Sequence, residues 1–282
     1  MNLQPEEQES DSPEEQWYKD MDRAVTLSLG MKRSGKTYLL MKFLIRAIRE
    51  NKYDEYHLVL PQYHHERDDK YKWLKYYPNV IVYNAYAKMV SDRVLLAMKT
   101  KHVFFGIDDA TSELLNNIDA SFSRLLTCNE HGKQCAVWLC VHSARKILTP
   151  LVRQMINYLF VYKNANRKLM MDIWEEWFSM EIPDFKEFSQ MYKQVVYEQD
   201  NEALLYSFQG HHSYGIKHFA LMNETEPKVP KKKKATKNFV QVDPKQERMK
   251  LSVFDQMARS KMKEQYKPAK KPTIARMFGY GK

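Results

Sequence analysis

The chain has 282 residues, of which 44% are hydrophobic and 28% are charged. This length and composition suffice for one large domain, or for two smaller ones, with a sizeable core. No stretch approaches the ~18 apolar residues of a membrane-spanning helix, and the acidic N-terminus is unlike a secretory signal. Three cysteines are too few for a disulfide framework, which favours a reducing compartment.

The net charge of +10 is distributed unevenly along the chain. Residues 227–282 contain 17 Lys and Arg and 4 Asp and Glu, a net of +13, so residues 1–226 carry a net of −3. The densest positive run is Lys231–Lys234. Such a tail is typical of an arm that binds a polyanion, nucleic acid above all, and it equally fits a nuclear localisation signal or a solvated tail. We expect it to be largely disordered or to fold on a partner.

The predicted elements alternate between apolar strands and amphipathic helices. Residues 1–16 carry six acids and no base and are expected to be disordered, and residues 17–23 lead into the first strand. Strands are predicted at 24–29, 55–60, 80–83, 102–107, 135–141 and 158–162. Helical segments are predicted at 37–50, 62–77, 87–99, 112–126, 147–155, 168–179 and 185–191. A hairpin of 195–197 and 204–208 follows. The alternation predicts an α/β fold with a mostly parallel sheet covered by helices on both faces.

Residues 30–37, GMKRSGKT, are the most informative motif. They fit the G-x-x-x-x-G-K-[ST] pattern of a phosphate-binding P-loop, and they stand between a predicted strand and a predicted helix, as that motif requires. Backbone N–H groups at the helix start can hold phosphates. Lys36 would reach the β- and γ-phosphates, and the Thr37 hydroxyl would bind Mg²⁺. The residues expected to contact the nucleotide, ATP by default, are Gly30, Met31, Lys32, Arg33, Ser34, Gly35, Lys36, Thr37 and Tyr38.

Two acids, Asp108 and Asp109, follow the fourth predicted strand. Asp108 would hold Mg²⁺, directly or through water, and Asp109 would polarise the attacking water. Two such acids also occur as caps of a following helix, where Asp is favoured. The upstream P-loop favours the catalytic interpretation, because phosphoryl transfer needs an acid at this point.

Other polar residues are candidates for contacts with the γ-phosphate. His142 ends the fifth strand and could bind phosphate or the attacking water, although a histidine satisfied at a strand end fits nearly as well. Arg124, Arg145 and Arg153 are candidates for an arginine finger. Arg153 is included among the candidate catalytic residues, although arginines on the surface or in ion pairs are commoner than catalytic ones.

The order of these motifs resembles the viral branch of the FtsK–HerA superfamily, which contains genome-packaging ATPases of double-stranded DNA viruses such as poxviruses and membrane-containing phages. The likeness covers about residues 22–165. It rests on four features in order. These are the P-loop at 30–37, the paired acids at 108–109, the next apolar strand at 137–142, and the segment 151–157, which contains Arg153 and Asn157. Family members usually carry Gln where this chain has His142.

The resemblance implies a RecA-like P-loop NTPase of the ASCE type, assembled as a homo-oligomeric ring, with a hexamer favoured. Such a ring would thread double-stranded DNA, bind ATP and Mg²⁺, and move DNA into a preformed capsid, with capsid or portal-vertex proteins as partners. The ATPase domain is expected over 17–226, with a core at 22–165 and an extension at 166–226. The expected location is the host cytoplasm, or the host nucleus if Lys231–Lys234 is a nuclear signal, and association with the virion is compatible with this role.

Three other classes share parts of this pattern. The first is another NTP-driven machine, such as a helicase, a replication or partition ATPase or a filamentous-phage assembly ATPase. The second is a nucleoside or small-molecule kinase, for which residues 62–77 would be the lid and the basic tail would have no role. The third is a non-enzymatic nucleic-acid-binding protein with a degenerate P-loop, which the intact Lys36, Thr37 and acid pair argue against.

Overall fold

The computed structural model describes residues 13–60, 71, 73–108, 120–127, 135–164, 166–199, 202–208, 212–216, 239–240 and 242. In this part of the chain one nine-stranded sheet has the order β8-β7-β6-β1-β5-β4-β2-β3-β9. The strands in chain order are Val25–Leu29, Glu55–Val59, Val80–Tyr83, Val103–Asp108, Cys135–Val141, Tyr158–Tyr162, Ala203–Ser207, His212–Ile216 and Phe239–Val240. Pairing is parallel throughout, except that β7 lies antiparallel to both β6 and β8.

The described helices, α1 to α8, connect these strands. Their bounds are Pro13–Asp20, Lys36–Arg49, Lys88–Ala97, Ala120–Thr127, Ala144–Ile147, Pro150–Gln154, Arg167–Ile173 and Phe185–Lys193. Helices α7 and α8 continue as π-helical turns, Trp174–Phe178 and Gln194–Glu198, and Trp73–Tyr76 is a 3-10 turn. Three of these helices, α6, α7 and α8, have a side-chain N-cap. The capping residues are Thr149, Asn166 and Asp184, and each accepts a hydrogen bond from a first-turn backbone N–H.

The core consists of two hydrophobic layers, one on each face of the sheet. Strand β5 contributes to both, since Val137 and Leu139 lie in one layer and Trp138 and Cys140 in the other. All seven residues of β5 are buried, as expected for a parallel strand covered on both faces. The predicted α/β class, with helices on both faces of a mostly parallel sheet, is therefore confirmed.

The six predicted parallel strands are confirmed to within one residue at each end. The predicted hairpin is wrong in its first strand, because residues 195–197 lie in the π-helical continuation of α8. Val196 is buried there against the core, so the amphipathic helix overrides the local β-propensity of Val-Val-Tyr. Strand β7 pairs with His212–Ile216 instead.

The predicted disordered N-terminus is too long, because α1 begins at Pro13. Trp17 packs edge-on against Trp138 and Phe160, with ring centroids 5.3 and 5.1 Å apart. The Arg46 guanidinium donates to both Glu15 carboxylate oxygens, at 2.8 and 2.7 Å. This burial and the bidentate ion pair outweigh the acidic composition and hold the helix on the sheet.

The predicted start of the tail at 227 is also too early. Phe239–Val240 pairs parallel to β3, at the edge of the sheet. Val242 is buried, and its N–H donates to Asn84 Oδ1 at 2.6 Å. The unit that contains the sheet accordingly extends to Val242.

Some predicted segments fall outside the described residues. They are most of the helical segment 62–77, the first part of the helix 112–126, and the remainder of the tail. No helix within the described ranges is long and apolar enough to cross a bilayer.

Candidate nucleotide-binding site

The P-loop follows β1 at the edge of the sheet where the parallel strands end. Strand β1 lies between β6 and β5, and β4 is the next strand beyond β5. Because parallel strands end at the same edge, Asp108 at the end of β4 and His142 after β5 lie beside the loop. Thr37 contacts Asp108, and His142 contacts Gly30 and Lys36, so the structure brings these candidate residues together, while their roles stay predictions.

Both motif glycines are required by geometry. A Cβ atom at Gly30 would lie 2.5 Å from Ser34 Oγ and 2.8 Å from Tyr162 Cβ, so no side chain fits there. Gly35 has a φ of 104°, in the left-handed region that favours glycine, and it is the N-cap of α2. Since glycine has no capping side chain, the first-turn N–H groups of α2 stay available to an anion.

The Lys36 ammonium lies across the mouth of the loop. Lys36 is only 6% exposed, and its Nζ donates to the carbonyl oxygens of Gly30 and Met31, each at 2.8 Å. A buried cation beside the N–H groups of a helix start is suited to phosphate binding. The other predicted contact residues, Met31, Lys32, Arg33 and Tyr38, are exposed on the loop and the start of α2.

Asp108 is the buried acid of the site, with 1% exposure. Its Oδ1 accepts a hydrogen bond from Thr37 Oγ1 at 3.1 Å, and its Oδ2 accepts one from the Tyr71 hydroxyl at 2.6 Å. Burial, and then the adjacent negative charge of Asp108, raise the pKa of Tyr71, so this phenol remains a proton donor. Tyr71 was not singled out from the sequence, where it is one of many aromatics in 62–77.

The Thr37 and Asp108 oxygens fit a magnesium site. Mg²⁺ prefers oxygen ligands and is commonly bound by one or two carboxylates together with substrate phosphates. The hydroxyl and the carboxylate are already in contact at 3.1 Å at the start of α2. Their separation and chemistry agree with the sequence prediction of both as metal ligands, which stays a prediction.

His142 is oriented by the P-loop itself. Its Nδ1 lies 2.9 Å from the Gly30 carbonyl oxygen and 3.4 Å from Lys36 Nζ. The Gly30 carbonyl only accepts and the Lys36 ammonium only donates, so the tautomer decides which of the two Nδ1 bonds; a proton on Nδ1 directs it to Gly30, the nearer of the two. In the neutral ring Nε2 is then an acceptor, which can orient a water, and in the protonated ring it can donate to a phosphate oxygen.

The arginine candidates differ in their surroundings. Arg153 is 11% exposed, with Nε 3.0 Å from Glu176 Oε1. Arg145 is half exposed and donates to Asp172 and Glu175 at 3.1 and 2.6 Å. Arg124 is exposed on α4. Arg153 therefore lies in an intramolecular ion pair, and its assignment as a finger stays a prediction. Asp109 lies outside the described residues.

The parallel sheet, with a P-loop between the central strand β1 and helix α2, defines the fold of P-loop NTPases. Comparison with known proteins agrees. The DNA-packaging ATPase B204 from Sulfolobus Turreted Icosahedral Virus is similar in structure, with a TM-score of 0.52 and 15% identity over 70% of this chain and 98% of that one. The genome packaging NTPase B204 from Sulfolobus turreted icosahedral virus 2, in complex with ATP-gammaS, gives a TM-score of 0.51 and 16% identity over the same shares.

The same NTPase in complex with sulfate gives a TM-score of 0.51 and 17% identity, over 70% of this chain and 97% of that one. At such identities the likeness shows a shared fold. No protein-family model and no curated protein sequence matches the chain.

Proposed function

We propose that this protein is an ATP-hydrolysing motor that moves double-stranded viral DNA into a preformed capsid. The observation that carries the proposal is the contact of Thr37 with the buried Asp108, beside Lys36 and His142. In this proposal the combination would provide phosphate binding, metal binding and water orientation at one edge of the sheet. The likeness in fold to B204, which is named as a DNA-packaging ATPase, supports packaging over other roles of the P-loop fold.

Binding of the triphosphate rests on the loop and on α2. The first-turn N–H groups would hold the phosphates, while Lys36 would exchange its contacts with the Gly30 and Met31 carbonyls for phosphate oxygens. Thr37 and Asp108 would hold Mg²⁺, which when bound neutralises charge that develops on the phosphates. Tyr71 keeps the Asp108 carboxylate in place through its 2.6 Å hydrogen bond.

Hydrolysis needs a water aligned with the γ-phosphate. We assign Asp109 as the group that polarises this water and His142 as the sensor beside it, because His142 contacts both Gly30 and the lysine of the loop. Since Nδ1 is engaged with Gly30, Nε2 is the atom that would take this role.

Coupling to DNA is proposed from charge and from the resemblance. The basic residues of 227–282 would contact DNA phosphates, which releases counterions and makes binding depend on salt. A homo-oligomeric ring, with a hexamer favoured, would enclose the duplex and supply an arginine to the neighbouring site. Capsid or portal-vertex proteins would be the docking partners in the host cytoplasm or nucleus.

The test is steady-state ATP hydrolysis with and without long double-stranded DNA, at two salt concentrations. A motor is stimulated by the duplex, and the stimulation falls as salt rises. ATP hydrolysis that does not respond to DNA, with phosphate transfer to nucleosides instead, would contradict the proposal and favour a kinase. Strand separation of a forked duplex would favour a helicase.

A further inference from the structure

We propose that a cavity lined by the helices α7 and α8 and by Asn164, which follows β6, binds the nucleoside part of the nucleotide. This inference rests on the proposed function, because it assigns the other end of the same ligand. The cavity has a volume of about 800 Å³. Its lining includes Asn164, just after β6, together with Arg167, Phe185, Tyr192, Lys193 and Tyr197.

Tyr162 connects the cavity with the P-loop. Its ring lies beneath the loop, since a Cβ atom at Gly35 would be 3.4 Å from Tyr162 Cε1. Its carbonyl oxygen accepts a hydrogen bond of 2.7 Å from the hydroxyl of Tyr192, which lines the cavity. Asn164 follows two residues later, about 7 Å along an extended chain. The phosphate site and the cavity are therefore adjacent.

The order of the strands sets the direction of the nucleotide. Asp108 and His142, which serve the γ-phosphate end, belong to β4 and β5 on one side of β1. Of the cavity's lining residues, Tyr192 bonds to β6, and the π-helical turn that carries Tyr197 contacts β7 and β8, on the opposite side of β1. A triphosphate with its γ end toward Asp108 consequently directs its α-phosphate and nucleoside toward β6 and the cavity.

Asn164 supplies a hydrogen-bond donor for a base. It is 5% exposed, and its Oδ1 accepts from the Asn166 N–H at 2.9 Å, which fixes the amide orientation. Its Nδ2 has no hydrogen-bond partner among the described residues. A buried amide left in this way costs free energy unless a ligand satisfies it. Nucleobases offer ring nitrogens and carbonyl oxygens as acceptors.

Aromatic and basic side chains that line the cavity also suit a nucleotide. Tyr197 is 46% exposed and packs edge-on against Tyr192, so its ring is open for stacking. Among the described residues that line the cavity, Arg167, Lys186 and Lys193 are basic and Glu198 is acidic, so these side chains carry a net positive charge. Stacking on an aromatic ring and a cationic surround are what a nucleotide base and its α-phosphate require.

The test compares the affinities of the full chain for ATP-gammaS and for inorganic tripolyphosphate by calorimetry. The ratio of the ATP-gammaS affinity to the tripolyphosphate affinity reports the nucleoside contribution, because both ligands carry a chain of three phosphoryl groups, the last of which is a thiophosphate in ATP-gammaS; the ratio is compared between variants, in which this difference is constant. Asn164→Asp keeps the acceptor for the Asn166 N–H and removes the donor, and Tyr197→Leu removes the ring. Each is expected to lower the ratio about 5-fold or more and to leave tripolyphosphate binding nearly unchanged.

Two control variants test whether the effects come from the Tyr197 ring and from the cavity itself. Tyr197→Phe keeps the ring and should keep the ratio, and Gln154→Glu on the exposed face of α6 adds a negative charge outside the cavity. An unchanged ratio in Asn164→Asp and Tyr197→Leu, even with weaker DNA binding, would overturn the inference and leave the proposed function intact. Failure of the wild-type chain to bind either ligand would overturn the proposed function and the inference with it.

Discussion

The Tyr71 hydroxyl donates a 2.6 Å hydrogen bond to Oδ2 of Asp108, the carboxylate whose Oδ1 accepts from Thr37. Both oxygens of the candidate metal ligand thus accept from hydroxyl donors, one buried and one partly buried. The arrangement restricts the carboxylate to one orientation and leaves its charge beside the P-loop. Such partners of a metal ligand usually affect activity strongly although they do not touch the substrate.

Tyr71→Phe should therefore weaken catalysis without removing nucleotide binding. The ring stays, so the packing is preserved, while Asp108 loses the hydroxyl donor to its Oδ2. We expect a loss of activity or Mg²⁺ affinity of about 10-fold or more, with affinity for ATP-gammaS in the absence of Mg²⁺ nearly unchanged. The measurement is ATP hydrolysis as a function of Mg²⁺ concentration.

Tyr53→Phe is the matched control for this variant. Tyr53 is a buried tyrosine whose hydroxyl donates to the Met21 carbonyl at 2.9 Å, at the opposite edge of the sheet. Both variants remove one buried hydroxyl. An equal effect of the two on Mg²⁺ dependence would assign Tyr71 to stability alone.

His142→Gln should retain most of the activity, whereas His142→Ala should lose it. A Gln amide can donate to Gly30 through Nε2 and accept through Oε1, as the two imidazole nitrogens do. Loss of a group that orients the attacking water costs about 10²-fold or more in kcat. Single-turnover hydrolysis is the measurement. Near-normal turnover of His142→Ala would remove this residue from the reaction.

Asp109→Asn and Lys36→Ala should differ in the step that they affect. Lys36→Ala removes a cation that contacts the loop carbonyls and should weaken nucleotide binding as well as turnover. Asp109→Asn should bind nucleotide normally and hydrolyse it slower by orders of magnitude, because only the transition state needs the base. Calorimetric binding alongside kcat distinguishes them. Normal hydrolysis in Asp109→Asn would leave the base to another residue.

Truncation of the tail should have two separable effects. A chain that ends at Val242 keeps β9 and the buried Val242, whereas one that ends at 226 loses both and should unfold more easily, by about 2 kcal/mol for the buried side chain. Both truncations should weaken DNA binding and flatten its salt dependence. The slope of the logarithm of the binding constant against the logarithm of the salt concentration should fall by about 0.9 for each DNA phosphate that the shortened chain no longer neutralises. Thermal melts and DNA titrations at several salt concentrations measure the two effects. An unchanged slope would indicate targeting or capsid docking instead.

The Glu55 carboxylate should make the free energy of unfolding depend on pH in the acid range. Contact with His57 at 2.8 Å, opposed by burial and reinforced by Lys101, lowers the pKa of Glu55 from 4.5 to about 2. A carboxyl with a lowered pKa stabilises the fold above its unfolded pKa, and this contribution is lost as the pH falls through about 2. Glu55→Gln should cost about 1 kcal/mol at pH 7 and flatten the loss of stability between pH 4.5 and 2.

Denaturation midpoints of Glu55→Gln at pH 7, 4 and 2.5 measure this effect. Glu187→Gln, which changes an exposed acid on α8, is the control. If the two variants follow the same pH dependence, Glu55 makes no special contribution.

The P-loop, the six parallel strands and the α/β class were determined by the sequence itself. These features are local: a glycine pattern at Gly30 and Gly35, buried runs of five to seven residues such as β1 and β5, and helices with apolar residues at regular spacing. The sequence also named Lys36, Asp108 and His142 as candidates, and the parallel sheet places the ends of their strands at one edge.

Only the tertiary structure decided the contacts between segments distant in the chain. Tyr71 reaches Asp108 across 37 residues, Arg153 pairs with Glu176, and Val242 returns to Asn84 from inside the predicted tail. The segment 195–197 has strand-like composition but extends a helix because that buries Val196. Hydrogen bonds and burial of this kind depend on which surfaces are brought together, and no local pattern of residue types encodes the partner.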